Sequence, residues 1–135
     1  MLKTNSLKQF QFNPLQSCAI YNATSDVIVL PQAIIAKTDQ DKAMGFQYWS
    51  KLDPDDAILF LFNNEDIRSM HMRNVAFPLL MVWMGVDHVV KSIVLAEPSE
   101  TLLYSSMYPA QYCLECHPSL AAMLQIGDLI KFFKF

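Results

Sequence analysis

The chain has 135 residues, of which 53% are hydrophobic, 12% aromatic and 17% charged, and its formal net charge is −3. This length predicts one domain with a core that needs no disulfide or metal support. The net charge is negative, whereas a nucleic-acid-binding protein usually has an excess of basic residues. No apolar run approaches the roughly 20 residues of a membrane-spanning helix. We therefore expect neither nucleic acid as a partner nor a membrane span.

The low charged fraction is the second informative feature of the composition, because soluble domains usually contain about 25% charged residues. A chain this apolar has either a thick core or a surface that a partner covers. The first six residues contain a lysine with no hydrophobic segment behind it, so no secretory signal is predicted. Three cysteines are an odd number, which argues against a disulfide framework. The expected location is the cytoplasm, or the virion if the protein is viral.

The N-terminal part of the chain divides into an arm and the start of a domain. Residues 1–25, which are polar with interspersed aromatic residues, are interpreted as an arm with a short strand at residues 18–21. Residues 26–135 are interpreted as a single β-rich domain. Residues 26–36 are strand-like, and Pro31, which cannot donate a ladder hydrogen bond, places them at a sheet edge or at a bend. Thr38 or Asp39 then provides the N-cap of a short helix that extends to about Trp49.

The middle of the chain carries the densest strand signal. The run Ala57 to Phe62 predicts a buried strand, residues 63–66 a polar turn, and residues 68–74 an extended segment with alternating faces. Leu79 to Met84 predicts a second buried strand. A loop that contains Gly and Asp then leads into the β-branched run of residues 89–95, a pattern typical of a hairpin.

The last third of the chain predicts a polar loop, two short strands and a helix. The loop covers residues 97–106, and the first strand covers residues 112–116. Pro118 fits the first position of a helix that ends near Gln125, and the last strand covers residues 129–135. Because strands follow one another through short turns, with only two short helices between them, the order favours an α+β fold that is mainly β. We expect a small antiparallel sheet shaped like a barrel or sandwich.

Six short motifs follow one another with regular spacing. They are Met44-Gly45-Phe46, the strand Ala57 to Phe62, Arg68 with His71-Met72-Arg73-Asn74-Val75, Pro78-Leu79-Leu80, Tyr112-Cys113-Leu114-Glu115 and Gly127-Asp128. Over residues 26–135 this ordered set resembles domain-of-unknown-function family 192, an uncharacterised family of prokaryotic proteins, of which the chain looks like a divergent member. The resemblance implies a β-rich domain and names no activity.

The chain departs from the family pattern at four positions of these motifs. His71 stands in place of Trp, Arg73 in place of Lys, Val75 in place of Thr, and Leu80 in place of the Asp of Pro-Leu-Asp. If the family has a polar pocket, the resemblance implies that this chain has lost its acid there. A carboxylate is the group that acid–base catalysis most needs, so we expect the protein not to be an enzyme.

Cys113, Cys116 and His117 form a Cys-x-x-Cys-His motif, the spacing that attaches a c-type haem. Residues three apart on a strand point to opposite faces, so the two thiols are not expected to hold one macrocycle. Zinc needs about four ligands, and these residues supply three. A haem or metal site here is therefore the weakest alternative, and no cofactor is expected.

Arg68, Arg73 and Asn74, with His71 between them, form the more promising polar group. Two guanidiniums and an amide could hold a carboxylate or phosphate. On this interpretation the protein is a domain that binds a small anion or metabolite. The competing interpretation is that both arginines pair with local acids such as Glu65 and Asp66, and that Asn74 closes a turn.

The leading hypothesis is a non-enzymatic interaction or structural subunit of a larger assembly, for which a viral particle is one candidate. It rests on the low charge, the aromatic-bearing arm and the apolar tail, which suggest protein partners or self-assembly. The residues expected at the interface are Phe10, Phe12, Phe132, Phe133 and Phe135.

Overall fold

The structure, a computed structural model, describes residues 16–134, which form nine strands, one α-helix and one 3₁₀ helix. In chain order the elements are β1 (Ser17–Asn22), β2 (Val27–Ala36), α1 (Asp39–Met44), β3 (Ala57–Asp66), β4 (Ser69–Met72), β5 (Leu79–Met84), β6 (Val90–Ala96), β7 (Ser99–Ser105), β8 (Ala110–Cys116), the 3₁₀ helix (Pro118–Met123) and β9 (Ile130–Lys134). The prediction of a mainly β protein with two short helices is confirmed.

Seven strands form one sheet in the order β6-β5-β8-β3-β2-β1-β9, and β4 pairs with β7 in a separate two-stranded ribbon. Five of the six pairings in the large sheet are antiparallel, whereas β2 and β3 run parallel. The crossover between β2 and β3 contains α1, which is the usual way to join parallel neighbours. The sheet is therefore mixed.

The large sheet curls so that its two edge strands approach each other at one end. Val89 and Leu129 form an isolated antiparallel bridge. The backbone N–H of Ile130 donates to the carbonyl of His88 at 3.0 Å, and that of Val90 to the carbonyl of Asp128 at 2.9 Å. The backbone hydrogen bonds between the two edges are limited to residues 88–90 and 127–130, so the sheet does not close into a barrel. We predicted a small sheet shaped like a barrel or sandwich. Of this prediction, only the curled β architecture is confirmed.

Both faces of the sheet are covered, which explains why the central strands read as unbroken apolar runs. All six residues of β5 are buried. Leu80, Val82 and Met84 pack into the core enclosed by the curl. Leu79, Met81 and Trp83 pack into a second core on the opposite face. We call these the inner and the outer core.

The β4–β7 ribbon was missing from the sequence prediction, which assigned residues 97–106 to a polar loop. That assignment was wrong, because Ser99–Ser105 pairs with β4 from Ser69↔Ser105 onwards. Thr101, Leu102 and Leu103 are all exposed. A strand exposed on both faces has no apolar alternation by which it could be recognised.

Pro31 lies in an interior strand, so of the two places expected for it, a sheet edge or a bend, the sheet edge was wrong. The β1–β2 register shifts between Cys18 and Ile20, opposite the proline. The parallel pairing of β2 with β3 begins only at Ile34. Because Pro31 stands at this irregularity, its missing N–H interrupts no regular ladder.

Two further element boundaries differ from the predictions. Residues 63–66 continue β3 and do not form a turn. The helix begins at the expected N-cap, where the Thr38 hydroxyl accepts a hydrogen bond from the N–H of Asp41, but it ends at Gly45 rather than near Trp49. Gly45 has a φ of +49°, a conformation that stops a helix and that glycine adopts without steric cost. The second helix is a 3₁₀ helix.

The strand expected near residues 18–21 is present as β1, and it is an integral strand of the sheet. It pairs with both β2 and β9, so the folded sheet begins well before the boundary expected at residue 26. Phe10, Phe12 and Phe135 lie outside the described residues. Among residues 16–134 no helix is long and apolar enough to cross a membrane.

Candidate functional site

The Cys-x-x-Cys-His motif lies on β8, and its two thiols point to opposite faces of the sheet. Cys113 belongs to the outer core and Cys116 to the inner core. Burial raises the pKa of Cys113 well above its ordinary value and that of Cys116 to about 12. The His117 ring accepts a hydrogen bond from the N–H of Ser119 at 3.1 Å and so caps the 3₁₀ helix. This geometry does not suit one haem held by both thiols.

The third cysteine, Cys18, is buried in the inner core, and burial raises its pKa to about 11. All three cysteines are free thiols. Within residues 16–134 no three His, Cys, Asp or Glu side chains converge in a way that could hold a metal ion. The described part of the chain therefore offers neither a reactive thiolate nor a metal site.

Arg68 has a structural role that sequence reasoning did not foresee. Its Nε donates to the carbonyl of Ala110 at 3.1 Å, and its Nη2 donates to the carbonyl and to the side-chain Oδ1 of Asn64. The guanidinium lies 4.1 Å from the centre of the Phe62 ring. Arg68 thus ties the end of β3 to the start of β8, and neither of the acids expected as its partners is involved.

Arg73 and Asn74 lie beyond the other end of β4. Arg73 is exposed. Asn74 has a φ of +60°, and its side-chain amide donates to Gln47 at 2.9 Å and to the Tyr48 hydroxyl at 3.0 Å. The four-residue strand β4 separates Arg68 from Arg73, so their Cα atoms are about 15 Å apart. The structure therefore does not bring the three residues together into one anion site.

His71, the fourth residue of that group, lines a cavity of about 350 Å³ on the outer face of the sheet. We call this cavity the Glu115 pocket, because Glu115 on β8 reaches it from the sheet. The end of α1 and the Gly45 turn form one wall, and β4 forms another. The remaining lining is largely apolar and includes Phe46, Phe60, Phe62 and Met70.

Glu115 is only 4% exposed, although it is an acid in the interior of the sheet. Its cross-strand neighbours are Ile58 on β3 and Met81 on β5, both completely buried. Burial disfavours the ionised carboxylate and raises the pKa of Glu115 from 4.5 to about 8. At neutral pH the side chain is therefore mostly an uncharged carboxylic acid, which can donate and accept a hydrogen bond.

Two other titratable side chains line the Glu115 pocket. The N–H of Arg73 donates to His71 Nδ1 at 3.1 Å, so the neutral ring carries its proton on Nε2. Burial, followed by the charge of Arg73, lowers the pKa of His71. Lys42 Nζ donates to the carbonyl of Leu61 at 3.0 Å and lies 4.9 Å from the centre of the Phe62 ring.

Glu115 is a pocket acid that sequence reasoning did not single out. The motif that contains it was read as a strand, as one of the family motifs and as part of the Cys-x-x-Cys-His spacing, but the glutamate itself was given no role. The overlooked signal is a charged residue between Leu114 and Cys116, in a strand whose two faces are otherwise apolar. Such a residue is seldom buried without a function or a partner.

A second concave feature, of about 710 Å³, runs along β6, the edge strand of the large sheet. We call it the β6 groove. Residues 90–94 form its floor. Four exposed apolar side chains line it, namely Val86 (56% exposed), Met107 (65%), Tyr108 (56%) and Ile126 (68%). Exposed apolar side chains on an isolated domain are usually scattered singly, whereas these four lie together around one groove.

The rim of the β6 groove carries two acids and one base. Asp87 pairs with Lys91 at 3.0 Å, whereas Glu65 accepts the N–H of Val86 at 2.7 Å. The rim is therefore net negative. Of the residues expected at an interface, Phe132 and Phe133 are described, and neither lines this groove.

The two described aromatic residues of the expected interface have different surroundings. Phe132 is half-buried and contacts the rings of His88 and Tyr112, with centroids 4.6 and 5.2 Å away. Phe133 is exposed, and the Tyr21 ring lies 5.9 Å from it. Phe132 therefore contributes to packing, and Phe133 is the one available to a partner.

Comparison with known proteins identifies a family whose profile matches most of the chain. The profile of DUF192, described as "Uncharacterized ACR", matches residues 20–132. No curated protein shows significant sequence similarity to the chain.

Several solved structures are similar in fold, including the following two. One is a "putative transcription regulator" from Sinorhizobium meliloti 1021, with 23% identity and a TM-score of 0.75, and the alignment covers 86% of this chain and 92% of that one. The other is a protein of unknown function from Novosphingobium aromaticivorans DSM 12444, with 22% identity and a TM-score of 0.71, covering 89% and 90%. At these identities the likeness shows the fold alone.

Proposed function

The chain belongs to the DUF192 family of uncharacterised proteins, and from this premise we propose that it is a non-enzymatic protein-interaction module, a subunit of a larger assembly. Its binding surface is the β6 groove. The partner presents an apolar side chain to the groove and a lysine or arginine to the acidic rim.

The observation that carries this proposal is the clustering of Val86, Met107, Tyr108 and Ile126 around one groove. Exposed apolar side chains are common singly, but a contiguous group rimmed by polar residues is typical of an interaction site. Burying such side chains against a partner contributes roughly 25 cal/mol for each Å² removed from water. Because the rim is net negative, it favours a partner that carries a lysine or arginine next to its apolar side chain.

A non-enzymatic role is supported by the state of the three thiols and of Arg68. The three thiols are buried and protonated, and Arg68 is engaged in contacts that hold the fold. A nucleic-acid partner, which the name of the Sinorhizobium protein suggests, finds little support in a net charge of −3. A viral particle stays one prediction for the identity of the assembly.

The proposal can be tested with a library of displayed random peptides selected on the intact chain. We expect the enriched peptides to share an aromatic or aliphatic anchor beside a basic residue. Ile126→Glu should weaken their binding by at least about tenfold, because it puts a charge where an apolar side chain must pack. Ile28→Glu is the matched control, since Ile28 is 63% exposed and lies on β2, outside the groove.

Equal binding of the selected peptides to Ile126→Glu and to the unchanged chain would contradict the proposal. So would a selection that enriches no peptide. If Ile28→Glu weakens binding as much as Ile126→Glu, the contact surface lies elsewhere and the β6 groove is not the site.

A further inference from the structure

We propose that the Glu115 pocket binds a small uncharged molecule with an aromatic or apolar body and one group, such as a carboxamide, that both donates and accepts a hydrogen bond. Among residues 16–134 the pocket shares no lining residue with the β6 groove, so this inference is independent of the proposed protein interaction.

The size and lining of the pocket fit a molecule of this kind. Its volume of about 350 Å³ lies within the roughly 300–1,000 Å³ typical of small-molecule sites. Three phenylalanine rings, of Phe46, Phe60 and Phe62, line it together with Met70. Such a lining favours a flat apolar body, and rings of this type prefer stacked or edge-to-face contacts with an aromatic guest.

The carboxyl group of Glu115 supplies the polar contact. Burial is the sole cause of its raised pKa, and no hydrogen bond within residues 16–134 contributes to it. Glu115 is not among the fully enclosed side-chain polar atoms without a partner, which within residues 16–134 are represented by Trp83 Nε1 alone. Its carboxyl is a nearly buried acid at the border of a cavity, and such an acid is a candidate for contact with a ligand. The carboxyl borders the pocket, so a guest molecule there can satisfy both its O–H and its carbonyl oxygen.

The charges around the pocket select an uncharged guest. A cation would meet Lys42, whose ammonium already lies over the Phe62 ring on the α1 side. An anion would meet a carboxyl that is mostly protonated at neutral pH, while Lys42 is engaged with the carbonyl of Leu61. Burial lowers the pKa of His71 on β4 and raises the pKa values of the Cys113 and Cys116 thiols beside Glu115 on β8, so all three favour their uncharged forms. Lys42 carries the full charge among the described pocket residues, and it is already paired with Asp39 at 4.0 Å, so little uncompensated charge is left for an ionic guest.

The Gly45 turn determines how closely the α1 wall approaches the carboxyl. A Cβ placed at Gly45 would lie 3.5 Å from the Phe60 ring and 4.0 Å from Glu115 Oε1. The backbone of residue 45 thus stands directly beside the carboxyl, and its amide is a local reporter of binding.

Three probes with one aromatic body and different charge test the proposal: benzamide, benzoate and benzylamine. Each is titrated at millimolar concentration into the full-length ¹⁵N-labelled chain at pH 7, which lies above the lowered pKa of His71 and below the pKa of about 8 of Glu115. We expect benzamide to shift the amide resonances of Gly45 and His71 and to bind at least about tenfold more tightly than the two charged probes. The resonance of Ile126 in the β6 groove should not move.

Substitutions of Glu115 separate hydrogen bonding from charge. Glu115→Leu should weaken benzamide binding at least about tenfold, because it removes both hydrogen bonds. Glu115→Gln keeps a donor and an acceptor and should retain the affinity within about threefold. As the pH rises through about 8, benzamide binding to the unchanged chain should weaken, because ionised Glu115 no longer donates. Binding to Glu115→Gln should not change over that range.

Three results would overturn the proposal: tighter binding of benzoate or benzylamine, unchanged binding of benzamide to Glu115→Leu, or no binding of benzamide to the unchanged chain. If Glu115→Leu does not fold, Ala43→Phe provides the second variant. Ala43 is exposed on α1 and lines the pocket, so its enlargement should obstruct benzamide without touching the core. Unchanged binding to folded Ala43→Phe would also contradict the site.

Discussion

The side-chain amide of Asn22 donates a 2.7 Å hydrogen bond to Asp128, a residue 106 positions later in the chain. Both side chains are buried. The same amide donates to the carbonyl of Met123 at 3.0 Å, and the Asn22 Oδ1 accepts the N–H groups of Thr24 and Ser25. One asparagine therefore joins the β1–β2 turn to the segment between the 3₁₀ helix and β9.

Replacing this asparagine should be costly. Asn22→Ala leaves the buried Asp128 carboxylate without one of its donors and frees the turn backbone, so we expect the free energy of unfolding to fall by about 2–4 kcal/mol. Urea denaturation followed by circular dichroism measures the change. Asn63→Ala, at an exposed position of β3, is the control and should stay within about 0.5 kcal/mol. Similar losses in both variants would show that the Asn22–Asp128 contact does not stabilise the fold.

The two arginines of the expected anion site should differ in the same assay. Arg68→Ala removes the hydrogen bonds to Ala110 and Asn64 and the contact with the Phe62 ring, and should lower the free energy of unfolding by about 1–3 kcal/mol. Arg73→Ala, at an exposed position, should change it by less than about 0.5 kcal/mol. Arg73→Ala thus serves as the control for Arg68→Ala. If Arg73→Ala lowers the free energy of unfolding more than Arg68→Ala does, Arg68 does not have the stabilising role assigned to it.

The strands that could be read from the sequence are those with apolar side chains on a buried face. The runs at β3 and β5 were identified because both of their faces are covered, and the hairpin from β5 to β6 because its turn residues are distinctive. The β4–β7 ribbon was not identified in full, since β7 has little buried surface to impose a pattern. The parallel β2–β3 pairing depends on contacts distant in sequence, which no local pattern reports.

The candidate site was harder to predict from the sequence than the fold was. His71 was named as a candidate and lines the Glu115 pocket, whereas Arg68, Arg73 and Asn74 do not line it. They were grouped because they are close in sequence, but an extended strand separates them by about 3.3 Å for each residue. Glu115 is distant from His71 in sequence. Their common pocket arises only when the β4–β7 ribbon folds over the outer face of the sheet.

The buried thiols give a prediction about chemical reactivity. Burial raises the pKa of Cys18 to about 11, that of Cys116 to about 12 and that of Cys113 well above its ordinary value, so the thiolate population in the folded protein is very small. We expect no thiol to react promptly with Ellman's reagent at pH 8. All three should react after unfolding in guanidinium chloride. Prompt reaction of one thiol in the folded protein would identify an accessible thiolate and contradict this burial.

The raised pKa of Glu115 makes stability depend on pH in a defined direction. The unfolded chain ionises Glu115 near its ordinary value of 4.5, while the folded protein keeps it protonated up to about pH 8. Between these values the unfolded state binds fewer protons, so the contribution of Glu115 to stability decreases as the pH rises from about 4.5 to 8 and then levels off. Each pKa unit corresponds to about 1.4 kcal/mol, so the whole loss is on the order of 3–5 kcal/mol.

Glu115→Gln isolates this effect, because glutamine has a similar shape and does not ionise. We expect the variant to gain stability relative to the unchanged chain by on the order of 3–5 kcal/mol between pH 5 and pH 8, measured as the difference in free energy of unfolding at each pH. Glu100→Gln, at an exposed position, should leave the pH dependence unchanged. If the two free energies of unfolding stay parallel across this range, Glu115 is not a desolvated acid, and the hydrogen-bonding role assigned to it in the pocket fails with it.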